Sequence, residues 1–145
     1  MDNRCDLSGY KYYTGPDGDR PAVCVAFLDV SETEAPNQRT NGLCLPVDGH
    51  QLVELDLRER NYARLDVSDR VDAGGARVWT YVGTAEGRER LALGLRSGAA
   101  VIDAGYLESV SAAFATLGRR ELLEARASLD PGDIPVIKLT RHELA

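Results

Sequence analysis

The segment Ala22-Val23-Cys24-Val25-Ala26-Phe27-Leu28 is an unbroken apolar run that begins after Pro21 and ends at Asp29. It is too short for a membrane span and has the length of a strand covered on both faces, so it predicts a central strand within Pro21 to Val30. The chain has 145 residues, enough to bury one continuous core around such a strand. A single domain over 1–145 is the expectation.

Other segments supply the cover. Residues Ser31 to Arg39 read as a solvated loop, and Gly42 to Val47 as a second strand. Asp48 is a candidate N-cap for a helix over His50 to Arg60, which holds no Gly or Pro. Tyr62 to Val67 alternates apolar and polar residues. With Gly74-Gly75 and the run Ala76 to Val82 it predicts a half-buried β-hairpin with a long loop. A short helix follows over Arg88 to Leu95. Asp103 then caps a better one, whose Leu107, Val110, Ala113, Phe114 and Leu117 fall at helical spacing and whose stop is Gly118. A charged helical piece around Arg120 to Ala127, a turn at Asp130-Pro131-Gly132 and the apolar Ile134-Pro135-Val136-Ile137 complete the chain. The first twenty residues, with their turn at Gly15-Pro16-Asp17-Gly18, are polar and predict little core. No internal repeat is visible. The sum is an α+β domain with mainly antiparallel strands.

Charge and composition exclude several classes. Hydrophobic residues make up 43% and charged residues 28%, the mix of a folded globular protein. The 23 acidic residues outnumber the 17 basic ones, for a net charge of -6, and no Lys/Arg cluster is present to track a phosphate backbone, so nucleic acid is not an expected partner. No apolar stretch approaches a membrane span and Met1 to Asp6 is too polar for a signal peptide, which predicts a cytoplasmic protein with no membrane partner. Cys5, Cys24 and Cys44 form no Cys-x-x-Cys pair, and His50 and His142 stand far apart in sequence, so no metal site is expected. Cys24 and Cys44, in apolar strand contexts, read as small buried hydrophobes. Gly83-Thr84-Ala85-Glu86-Gly87-Arg88 lacks the Gly-Lys-Ser/Thr ending of a phosphate-binding loop. Trp79 reads as core. Tyr10, Tyr12 and Tyr13 form an aromatic cluster that could line a ligand cleft or cover one end of the fold, and with no basic cluster beside them the covering role is the expectation.

One carboxylate breaks the pattern of its own helix. At about 100° per residue, Leu52, Leu55 and Glu59 fall within an arc of roughly 60°, with Asp56 near its edge. A carboxyl group on the core-facing stripe has its pKa raised by burial, toward the range where it can accept and return a proton near neutral pH. The alternative is a local pair between Glu59 and Arg58, Arg60 or Arg64. Asp56 is placed for an i, i+4 pair with Arg60.

The segment Leu55-Asp56-Leu57-Arg58-Glu59-Arg60-Asn61-Tyr62 resembles the Leu-Asp-x-Arg-Glu-x-x-Tyr signature of the γ-glutamylcyclotransferase-like family. The resemblance extends through Leu7-Ser8-Gly9-Tyr10-Lys11-Tyr12-Tyr13, Arg20-Pro21, Val25-Ala26-Phe27-Leu28, Val78-Trp79-Thr80-Tyr81-Val82-Gly83 and Gly105-Tyr106-Leu107, and its N-terminal part is similar to a bacterial branch. It implies a small mixed β-barrel flanked by helices. It also implies an enzyme in which Glu59 is the catalytic acid/base and Tyr81 contacts the substrate, with no metal or organic cofactor. The implied reaction is cyclisation of a γ-glutamyl small molecule to 5-oxoproline, with release of an amine or amino acid. Family members open with a strand and a Tyr-Gly-Ser-Leu substrate loop, and that motif stands nowhere in this sequence. The resemblance therefore implies an N-terminally truncated domain: a start placed too late, a shortened copy, or a relative that binds a γ-glutamyl-type ligand without turning it over.

Overall fold

The computed structural model describes residues 1–5, 11–31, 39–129 and 131–144. Tyr10, most of the predicted loop before Arg39 and the Asp130 turn position lie outside them. The described residues form an α+β structure in the order β1 (Lys11–Thr14), β2 (Cys24–Ala26), α1 (Gly49–Arg58), β3 (Tyr62–Asp66), β4 (Trp79–Gly83), α2 (Ala85–Arg96), β5 (Ala100–Asp103), α3 (Ala104–Leu117), α4 (Arg119–Ser128), β6 (Val136–Ile137) and β7 (Thr140–Glu143). They make one three-stranded and two two-stranded sheets, none closed into a barrel. No helix among the described residues is long and apolar enough to cross a membrane. The chain divides into two compact units, one made of Met1–Phe27, Arg39–Gly42 and Glu89–Ala145, the other of Leu28–Gln38 and Leu43–Arg88.

The first unit holds the buried core. The apolar run forms β2, which pairs in parallel with β5, and β5 pairs in parallel with β6. On its other edge β2 meets Asp2 through an antiparallel bridge at Cys24, so it has neighbours on both sides as a central strand requires. All residues of β2 and β5 are buried. Val25, Val101 and Tyr13 form the innermost cluster, with Met1, Val23, Phe27, Ile137 and Leu139 packed against it. The middle strand of this sheet, β5, was not predicted: Ala100 to Ile102 is a short apolar stretch between two helices, and periodicity does not identify so short an element. Parallel pairing of β2, β5 and β6 also makes the strand set mixed, where a mainly antiparallel one was expected.

Contrary to the expectation of little core, the polar N-terminal region supplies two of the most buried side chains, Tyr13 at 2% and Asn3 at 0% exposure. Asn3 is admitted because its amide is used in full. Nδ2 donates to the carbonyls of Tyr13 and Pro21, both at 2.9 Å, and Oδ1 accepts from the Tyr13 N–H at 2.8 Å. A buried amide with these bonds avoids the desolvation penalty that otherwise excludes it. β1 pairs antiparallel with β7, where Tyr12 stacks on His142 with ring centroids 4.8 Å apart.

The predicted Asp103-capped helix forms as α3. Asp103 Oδ2 accepts from the Tyr106 N–H at 3.0 Å, and Gly118, at a φ of 140° that disfavours side chains, ends the helix. The predicted strand over Gly42 to Val47 does not form. Leu43, Leu45 and Val47 are 65%, 69% and 44% exposed, and Cys44 is exposed while Cys24 is buried as expected. An alternating apolar segment becomes a strand only when another strand offers it an edge, and no described residue pairs with this one.

Candidate active site on the helix and hairpin of the second unit

The second unit is organised by α1 and the β3/β4 hairpin. Helix α1 starts in a capping box: Asp48 Oδ1 accepts from the Gln51 N–H at 2.8 Å, and Gln51 Oε1 accepts from the Asp48 N–H at 2.9 Å. The half-covered positions from 51 to 60 are Leu52, Leu55 and Glu59, so the predicted stripe is present and Glu59 is in it. Glu59 is the C-cap, and its N–H closes on the Leu55 carbonyl at 2.9 Å. The Tyr62 N–H then donates back to the Glu59 carbonyl at 2.9 Å, which turns the chain directly into β3.

In the antiparallel hairpin Tyr62 faces Gly83, Arg64 faces Tyr81 and Asp66 faces Trp79. Strand alternation puts Tyr62, Arg64, Asp66, Trp79 and Tyr81 on one face and leaves Ala63, Leu65, Thr80 and Val82 for the other. The first face is where the chemistry gathers. Arg64 lies over the Trp79 ring at 4.8 Å and Arg77 lies over the same ring at 5.7 Å; Trp79 is half-buried and is not the core residue expected.

Asp56 joins helix to hairpin. Its Oδ1 accepts the Tyr81 hydroxyl at 2.7 Å and its Oδ2 meets Arg64 Nη1 at 3.1 Å. Asp56 and Glu59 stand three residues apart on α1, neighbours on one helix face. The two residues expected to matter most, Glu59 and Tyr81, are thus brought to one region, with Glu59 among the charges acting on the Tyr81 phenol. Tyr81 ionises above its ordinary value. Partial burial is the main cause, followed by the Asp56 hydrogen bond and negative charge; Arg64 opposes them and Glu59 adds to them.

Of the two readings of Glu59, the local pair with Arg58 is present. Arg58 Nε and Nη2 both reach Glu59 Oε1, at 2.9 and 2.8 Å, and the Glu59 side chain keeps 26% of its surface open. Oε2 has no hydrogen-bond partner among the described residues. The carboxylate is therefore held by one oxygen and presents the other. What sequence spacing missed is the set of partners of Asp56. Its bonds go to Tyr81 and Arg64, and only the hairpin register brings those two side by side.

A third carboxylate, Asp29, fixes the end of the hairpin. Its Oδ1 accepts from the Gly83 N–H at 2.6 Å and its Oδ2 pairs with Arg88 Nε at 2.9 Å. A shallow cavity of about 290 Å³ lies beside α1, lined by Val47, Gln51, Glu54, Leu55 and Arg58. It borders the Arg58 side of the site and includes neither Glu59 nor Tyr81. Among the described residues no group of His, Cys, Asp or Glu side chains is arranged to hold a metal ion. No protein-family model, no curated protein and no solved structure matches the chain.

Proposed function

We propose that the chain is a γ-glutamylcyclotransferase-like enzyme that cyclises a γ-glutamyl small molecule to 5-oxoproline, with Glu59 as acid/base and Tyr81 in contact with the substrate. One observation carries this reading. Glu59, at the position of the signature it resembles, is anchored through Oε1 with Oε2 open, on the face of α1 whose Asp56 holds Tyr81. The same resemblance supports a bacterial, cytoplasmic setting, whereas the closed barrel it implies is not formed by the described strands.

The chemistry asks for little else. The α-nitrogen of the γ-glutamyl group attacks its own side-chain carbonyl, a C–N bond forms in a five-membered ring, and the bond to the departing nitrogen breaks. Between ammonium and lactam N–H the attacking nitrogen loses two protons, and the departing nitrogen gains two in leaving as an ammonium. A carboxylate that takes each proton and returns it ends unchanged. The ring closure is intramolecular, so holding the substrate folded supplies much of the rate.

The test is release of 5-oxoproline from a panel of γ-glutamyl amino acids, γ-glutamyl amines and glutathione. The expected result is turnover by the native chain and a loss of about a hundredfold or more in Glu59→Gln. Full turnover by that variant would remove the role assigned to Glu59. A second reading, a relative that binds the same ligands without turnover, is favoured by one feature: the Glu59 carboxylate is already engaged by Arg58 in an ion pair. It predicts saturable binding of the panel by calorimetry with no 5-oxoproline formed.

A further inference from the structure

We propose that Asp56 is a positioning residue that fixes the Tyr81 hydroxyl as a hydrogen-bond acceptor, so that this face of the hairpin receives a protonated primary amine. The identification of that amine as the α-ammonium of a γ-glutamyl group rests on the reading above; the direction of the hydrogen bond does not.

A phenol has one hydrogen to give and lone pairs to receive, whereas a carboxylate only receives. At 2.7 Å the Tyr81 hydrogen is committed to Asp56 Oδ1. Asp56 is not free to rotate away from it, because its second oxygen is held by Arg64 Nη1 at 3.1 Å. Arg64 is itself fixed, directly opposite Tyr81 in the hairpin register and over the Trp79 ring at 4.8 Å. What Tyr81 offers a ligand is therefore oxygen lone pairs. A ligand carboxylate or carbonyl brought there would meet lone pair against lone pair, while an ammonium finds an acceptor. Glu59 Oε2, without a hydrogen-bond partner among the described residues, is a second acceptor on the same helix face. The guanidiniums of Arg58 and Arg64 are both engaged by carboxylates, so the preference for a donor comes from the orientation of the phenol and not from net charge.

L-glutamate and glutarate make the decisive probes, since they differ only in the α-amine. Their binding to the full chain is measured by calorimetry for native protein, Asp56→Asn, Tyr81→Phe and the double variant, with thermal unfolding of each to establish that it is folded. The expected result is that native protein prefers glutamate by about tenfold or more. Each single variant loses most of that preference, and the double variant loses no more than either single one, the signature of two residues acting as a unit. A folded Asp56→Asn that keeps the native preference overturns the proposal, as do losses that add in full across the two sites. Equal binding of the two probes by native protein, or binding of neither, overturns it too. If native protein prefers glutamate in the expected manner yet releases no 5-oxoproline, the cyclotransferase reading fails and the acceptor role of Tyr81 stands. Turnover of γ-glutamyl compounds by Asp56→Asn with native discrimination gives the reverse.

Discussion

Arg58 Nε donates to one oxygen of Glu59, Oε1, at 2.9 Å, and Arg58 Nη2 stands 2.8 Å from the same oxygen in an ion pair. The pair is local, between successive residues at the end of α1, and the Arg58 side chain is 70% exposed. Exposed ion pairs of this kind contribute about 0–1 kcal/mol. Glu59→Gln should therefore lower the free energy of unfolding by less than about 1 kcal/mol while removing turnover of γ-glutamyl substrates. Denaturant unfolding and 5-oxoproline release, measured on the same preparation, separate the two effects. A large loss of stability would mark Glu59 as a structural residue.

Asn3 is the opposite case. It is fully buried, and its amide satisfies the Tyr13 N–H together with the Tyr13 and Pro21 carbonyls. Asn3→Ala leaves those backbone groups without their partner in the interior and should destabilise the first unit by roughly 2–4 kcal/mol. Asn3→Asp should do at least as much, because it turns a carboxyl oxygen toward carbonyls that had been receiving N–H bonds. Urea unfolding midpoints of the two variants test both statements.

The elements legible in the sequence were those with a strong local signal. Asp48 and Asp103 announced their helices because a cap is chemistry within a few residues. The hairpin announced itself through alternation around Gly74-Gly75. The stripe of Leu52, Leu55 and Glu59 followed from helical spacing alone. Elements decided by distant partners were not legible. Ala100 to Ile102 is a strand because β2 and β6 lie on either side of it, whereas the more strand-like Leu43 to Val47 has no strand partner among the described residues and stays exposed. Asn3 reads as a polar terminal residue until Tyr13 and Pro21 are seen around it. At the candidate site the same division holds. Glu59 was visible as a carboxylate on an apolar stripe, but the bond from Tyr81 to Asp56 depends on hairpin register and helix placement, which no short-range pattern records.

Gly94 lets α2 lie close against β2. A Cβ at this position would stand 2.8 Å from Cys24 Cβ, 3.3 Å from Cys24 Sγ and 3.5 Å from Ala100 Cβ. In an exposed helix, Gly→Ala would stabilise by about 1 kcal/mol through backbone entropy. Here the atoms it meets belong to buried strands that have little room to yield, and overpacking costs about 1–3 kcal/mol. Gly94→Ala should therefore lower the thermal midpoint, and a rise in that midpoint would show that the helix can lift from the sheet without penalty.

Tyr81 gives the candidate site a pH signature. Partial burial, the Asp56 hydrogen bond and the Asp56 charge all raise its pKa above the ordinary value of about 10. The folded protein then holds the phenol proton more tightly than the unfolded chain does. The stabilisation is complete below the unfolded pKa and is lost as pH rises through the folded one. The window is thus alkaline, beginning near pH 10, and neutral-pH stability is insensitive to it. Ultraviolet titration of tyrosinate, taken as the difference between native protein and Tyr81→Phe, should place Tyr81 above the ordinary phenol. Asp56→Asn should bring it down, yet not fully to the ordinary value, because burial remains. Were Asp56→Asn to leave the Tyr81 titration unchanged, the 2.7 Å bond would not persist in solution, and the amine-accepting arrangement built on it would go with it.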